Sequence, residues 1–142
     1  MNNYPTSFNI YKKSAAAQFT LLKPRRDENG RIEKAGAVLL EMAASKGEKS
    51  YDWQNKVTFA FGMNDLTQFF DDPSSDKWGS FFHKNDATNK KLTFTEGEGR
   101  FAGTYMMGLS AGDVRVSVPL SMGEFQVLGR LFSAALPKII GW

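Results

Sequence analysis

The chain has 142 residues, a formal net charge of +3 and a pI near 9.2, a length that suits one domain with a real core, taken as residues 1–142. It has no Cys, which excludes disulfides, thiolate zinc sites and cysteine nucleophiles. With a single His and no run of about 18 consecutive apolar residues, neither a metal centre nor a membrane span is expected.

Residues 1–5, Met1-Asn2-Asn3-Tyr4-Pro5, carry neither the charged nor the apolar region of a secretory signal. A soluble intracellular protein is expected: cytoplasmic if bacterial or phage-encoded, organellar if a transit peptide has been removed. Phe8 and Ile10, then Ala15, Ala17, Phe19 and Leu21, mark one face of two early strands or of one long bent strand. Asp27-Glu28-Asn29-Gly30 reads as a turn. Residues 35–43 are more continuously apolar, as in a strand buried on both faces, and residues 46–49 read as a loop. Val57, Phe59 and Phe61 alternate before a short helix through Leu66, Phe69 and Phe70, with Asn64 as its cap.

The second half repeats this grammar. Strands are expected over 79–84, 91–95, 100–107 and 114–120, with hairpin turns at Gly97-Glu98-Gly99 and Ser110-Ala111-Gly112-Asp113. A long helix follows. Ser121 and Glu124 form a capping box, while Phe125, Leu128, Leu131, Phe132, Ala135, Leu136 and Ile139 build a wide apolar stripe. Pro137 should kink the helix or tighten its last turn, and Gly141 should stop it. Strands-then-helix is thus written twice, an α+β pattern with a short middle helix and a long C-terminal one.

No catalytic constellation emerges. His83 is the one possible general base, and no nucleophile-elbow glycines accompany any Ser. Asp71, Asp72 and Asp76 lack calcium-loop spacing and read as a solvated loop. Gly97, Gly99 and Gly103 precede no helix that could bind phosphate. No metal, cofactor or small-molecule substrate is expected.

Rings do sit beside cations. The chain has 12 Phe, 4 Tyr and 3 Trp, and Tyr11-Lys12-Lys13, Tyr51 and Trp53 with Lys56, Phe82-His83-Lys84 and Arg100-Phe101 each pair a flat π-surface with a nearby positive charge. Lys23, Lys90 and Lys91 add charge beside expected strands. Single-stranded nucleic acid is held in this way: bases stack on rings for about 1–3 kcal/mol each while Lys and Arg track phosphates. Phe19, Phe59, Phe61 and Phe94 are assigned to the core. Phe81 and Phe82 must face opposite ways, so at most one is core, and Tyr11 should point away from the Ile10 face. Trp53 could serve either purpose.

Gly36-Ala37-Val38-Leu39-Leu40 followed by Tyr51-Asp52-Trp53, then Phe81-Phe82-His83, then Leu136-Pro137 to Gly141-Trp142, resemble in order the Whirly family of single-stranded DNA-binding proteins, within the wider group that includes the transcriptional positive cofactor four. Residues 11–17 occupy the place of that family's lysine-glycine-lysine-alanine-alanine-leucine motif. Lys12, Ala15 and Ala16 agree with it; Lys13, Ser14 and Ala17 depart, which puts assembly beyond a tetramer in doubt. The resemblance implies two antiparallel four-stranded β-sheets packed crosswise, each followed by a helix, and a homotetramer joined through Phe125, Leu128, Leu131, Phe132, Leu136 and Ile139. It implies DNA held between sheets with little sequence preference, in replication, recombination or repair. RNA binding or annealing, or transcription regulation on the same fold, are the alternatives.

Overall fold

The computed structural model describes residues 6–84 and 88–142; residues 1–5, read above for signal features, lie outside them. The early apolar segment forms two strands, β1 (Ser7–Tyr11) and β2 (Ala15–Leu22), paired antiparallel with Ile10 opposite Ala17. A two-stranded ribbon, β3 (Arg25–Arg26) and β4 (Ile32–Lys34), brackets the expected turn, where the Gly30 N–H donates to the Asp27 carbonyl at 3.0 Å. β5 (Ala37–Gly47) then pairs with β2, with the two-residue β6 (Ser50–Tyr51) and with β7 (Val57–Phe61). The first sheet therefore has four long strands, β1-β2-β5-β7, and β6 folded back on the end of β5.

β5 corrects the two-face burial expected of residues 35–43. Val38, Leu40 and Met42 are buried, while Leu39 and Glu41 between them are only half-buried. Phe19 and Phe61 on the inner face meet the C-terminal helix at Phe132, so that face is covered and the opposite one borders solvent. The strand also runs on through Lys46 and Gly47, and only Glu48 and Lys49 form the turn.

Helix α1 (Met63–Phe69) follows β7. Its N-cap is Gly62 and not Asn64, which lies exposed within the helix; the Asp65 carboxylate accepts the Gly62 N–H at 3.0 Å. The second sheet has the order β11-β10-β9-β8, from β8 (Ser80–Lys84), β9 (Asn89–Glu96), β10 (Tyr105–Ala111) and β11 (Val114–Leu120). The strand expected over 100–107 begins only at Tyr105. Arg100 and Phe101 belong to a 3-10 turn, Gly99–Phe101, where φ of +59° at Gly99 and +87° at Gly103 breaks the extended backbone. β11 touches β2, β5 and β7, three neighbouring strands of the first sheet, as a strand laid across them must.

Helix α2 (Met122–Ile139) begins with the capping box read from the sequence: Ser121 Oγ accepts the Glu124 N–H at 3.1 Å, and Glu124 Oε1 accepts the Ser121 N–H at 2.8 Å. It passes through Pro137 and ends where the Gly141 N–H donates to Lys138 O and the Trp142 N–H to Pro137 O. Phe132 gathers the core, its ring centroid 6.1 Å from Phe19, 4.9 Å from Phe61 and 4.8 Å from Phe69, joining α2 to the first sheet and to α1. At the far end the Gly36 N–H donates to the Ile139 carbonyl at 3.0 Å. A methyl placed on Gly36 would stand 2.5 Å from the Leu22 carbonyl oxygen and 2.9 Å from Ile139 Cα, so only glycine permits this approach.

Candidate nucleic-acid interface

Strand alternation turns Ile10 into the core and Tyr11 outward, 61% exposed. The Tyr11 ring lies 5.8 Å from that of Tyr51, and the two, with Lys49, Ser50 and Trp53, line a shallow recess of about 490 Å³. Trp53 is half-buried in a 3-10 turn, Trp53–Asn55, between β6 and β7. The Tyr51 hydroxyl donates to the Lys12 carbonyl at 2.6 Å, fixing the β1–β2 turn. Lys13 is exposed on that turn, whereas the Lys12 ammonium points to Glu124, 2.8 Å away. Lys56 is ion-paired to Glu41 on β5.

A second surface is the outer face of the β8–β11 sheet. Phe81 is buried at 1% exposure and Phe82 stands out at 61%, as two successive strand residues must divide. Phe82 opposes Lys91, whose Nζ lies 5.3 Å from the ring centroid, and the row continues through Ser110 to Arg115. Arg115 Nη1 donates to Ser110 Oγ at 3.0 Å, and the guanidinium rests over Gly108, where a side chain would collide with it. Met106 is exposed on the same face, and Lys84 flanks it. Arg115 and Met106 were missed in the sequence. Arg115 was findable, because it alternates with Val114-Val116-Val118 in a strand whose buried positions are Val116 and Val118.

Other residues named from the sequence are engaged elsewhere. His83 turns inward, its ring stacked on Phe59 at 4.0 Å and Nε2 2.8 Å from Asp65 Oδ2. Lys90 Nζ donates to Thr58 Oγ1 at 3.0 Å, tying β9 to β7 two residues past Lys56. Arg100 lies over Phe101, 4.8 Å from its centroid, but at the Glu96–Tyr105 end of the sheet, away from the Phe82 row. Lys23 is exposed at the end of β2 opposite the recess. The basic residues beside it hold the fold: Arg25 pairs with Glu33, and Arg26 donates to the Gly30 and Gly141 carbonyls.

The helix stripe divides in a similar way. Leu128, Phe132 and Ile139 lie within this chain's own core, Phe125 and Leu136 are half-buried against it, and Leu131 is 43% exposed. Phe125 stacks on Tyr105 at 3.9 Å, which spends its ring on the second sheet. Val127, Leu131 and Ala134 turn outward and border an apolar groove of about 390 Å³ between α2 and β1–β2. Among the described residues no helix is long and apolar enough to cross a membrane, and no cluster of His and carboxylates suits a metal. In the acidic loop, Asp72 is exposed and accepts the Ser74 N–H at 2.9 Å.

Two crossed antiparallel sheets, each followed by a helix, with exposed rings set beside cations, define an α+β fold with a candidate nucleic-acid interface on its strand faces. The chain belongs to the Whirly family: the family model described as Whirly transcription factor matches residues 10–131. It is similar to the single-stranded DNA-binding protein WHY1, chloroplastic, of Zea mays, at 30% identity over 96% of this chain and 57% of that protein. It is also 30% identical to the single-stranded DNA-binding protein WHY2, mitochondrial, of Arabidopsis thaliana, over 95% of this chain and 63% of that one. The chain thus spans under two thirds of these relatives' length. The crystal structure of WHY1 from Arabidopsis thaliana superposes with a TM-score of 0.82 at 27% identity, covering all of this chain and 94% of that one. The plant transcriptional regulator PBF-2 shares the fold, with a TM-score of 0.80 at 22% identity over 100% of this chain and 86% of that one.

Proposed function

We propose that this protein binds single-stranded DNA with little sequence preference and protects or organises melted strands in replication, recombination or repair. The observation that carries this is the exposed Phe82 ring with Lys91 over it, at the head of a row that ends in Arg115. A solvent-facing ring bordered by cations stacks a base of any identity and neutralises the adjoining phosphates. The Tyr11–Tyr51 recess with Lys13 offers a second stacking point. The names of the relatives support this reading and a binding role over a catalytic one. The test is fluorescence anisotropy with matched single-stranded and duplex oligonucleotides over a salt series. Tight single-strand binding that weakens steeply with salt is expected; equal affinity for duplex would overturn it.

The working form is proposed to be a homotetramer, supported by the apolar groove beside Val127, Leu131 and Ala134. An organellar address is supported by relatives named chloroplastic and mitochondrial, which give the bacterial or phage reading no support. Transcription regulation through the same surface is a second reading, favoured by the description of the family model and by the PBF-2 likeness.

A further inference from the structure

We propose that Lys12 is a positioning residue and not a phosphate ligand: its ion pair with Glu124 pins the β1–β2 turn to the first turn of α2 and holds Tyr11 against Tyr51. For its effect on binding, this rests on single-stranded DNA being the ligand of that recess.

Every polar group of Lys12 is already engaged. Its N–H donates to Ala15 O at 3.0 Å, its carbonyl accepts the Tyr51 hydroxyl at 2.6 Å, and Nζ donates to Glu124 Oε1 at 2.8 Å. Glu124 cannot follow the ammonium outward, because the same Oε1 accepts the Ser121 N–H at 2.8 Å and completes the cap of α2. The next residue, Phe125, is stacked on Tyr105, so this turn of the helix is anchored to the second sheet as well. Burial of Glu124 raises its pKa, but hydrogen bonds from Lys12 and Ser121, with the Lys12 charge, outweigh that and hold the carboxyl below its ordinary value. Moving Lys12 onto a DNA phosphate would strip a half-buried carboxylate of its cation, which is costly. Lys13, exposed on the same turn, is the cation that can reach a phosphate without that loss. A line of contacts, Glu124 to Lys12 to Tyr51 to Tyr11, thus carries the position of α2 to the ring pair.

The test compares wild type, Lys12→Gln, Glu124→Gln, the double variant, Lys12→Arg and Lys13→Gln. It uses the full chain and a fluorescein-labelled oligothymidylate across a salt series, with urea unfolding of each variant. Lys12→Gln and Glu124→Gln should each weaken binding by about threefold to tenfold. The double variant should be no weaker than either, and the slope of log K against log salt should stay unchanged. Lys12→Arg, which keeps the pair, should bind as wild type does. Lys13→Gln should reduce the slope by about 0.7, the value of one single-strand phosphate. A slope reduced by about 0.7 in Lys12→Gln, with Glu124→Gln binding normally or more tightly, would overturn the proposal. Failure of wild type to bind would instead strike the proposed function. The pin is then judged from the urea midpoints alone: non-additive shifts in the Lys12/Glu124 cycle support it, and additive shifts overturn it.

Discussion

One oxygen of Asp65 serves two elements: Oδ2 accepts the Gly62 N–H at 3.0 Å and lies 2.8 Å from His83 Nε2. The start of α1 is thereby fastened to the edge strand β8, and the His83 ring lies flat on Phe59. Replacing Asp65 by Ala removes the cap and leaves His83 facing an empty site, which should cost about 1–3 kcal/mol. Asp65→Asn, whose amide oxygen can still accept the Gly62 N–H, should cost less. Urea midpoints at constant m-value check both.

The neighbouring pair Phe81 and Phe82 separates folding from binding. Phe81 is packed against Phe59, Phe61 and Phe94, and truncation to Ala should cost about 3–5 kcal/mol. Phe82→Ala should leave the urea midpoint nearly unchanged and weaken oligonucleotide binding by about 1–3 kcal/mol, the worth of one stacked base.

Lys91 and Arg115 flank the same row, and among the described residues neither is ion-paired to a carboxylate. Each, changed to Gln, should reduce the salt slope of single-strand binding by about 0.7 and lower affinity similarly for all sequences. Lys56→Gln, which removes a cation already paired with Glu41, should change the slope little.

On α2, Leu131→Asp places a charge on the outward side of the helix and should dissociate the proposed tetramer while the monomer stays folded. Light scattering coupled to size exclusion, with far-UV circular dichroism, reads the two separately. Phe132→Ala, one residue further and fully buried, should instead destabilise the fold itself, costing about 3–5 kcal/mol.

Glu124 also sets a pH dependence. Its folded-state pKa is lowered, so its contribution is complete above the ordinary glutamate value of about 4.3 and is lost as the pH falls through the lower folded value. Wild type should therefore exceed Glu124→Gln in stability at about pH 6, and the gap should narrow towards about pH 3. Urea midpoints at the two pH values measure it.

Period-2 alternation made the strands and the outward aim of Tyr11 legible, because burial on one face writes itself directly into residue type. The Ser121–Glu124 box was equally plain, being a local geometry between residues three apart. What escaped was set by partners distant in the chain. Nothing near Lys12 announces Glu124, 112 residues away, nor does the sequence around His83 announce Asp65. Arg100 and Phe101 were misread as strand because their glycine neighbours looked like a hairpin turn, whereas two positive φ angles put the break around them. The width of the helix stripe implied one part against the chain's own sheets and one part facing outward, but which residues belong to each was not legible, since periodicity gives a face and not what lies against it.

That division has a definite origin. The contact between Gly36 and Ile139 allows no side chain between strand and helix, so it fixes the rotation of α2 about its own axis at one end, as the Ser121 cap and the Phe125–Tyr105 stack fix it at the other. Which residues α2 offers outward is therefore decided by the backbone at its two ends and not by the apolar content of the row itself. Substitutions along Val127, Leu131 and Ala134 change the chemistry of that row and leave its aim alone, whereas a single methyl at position 36 would meet the Leu22 carbonyl oxygen and Ile139 Cα and disturb the contact that sets the aim.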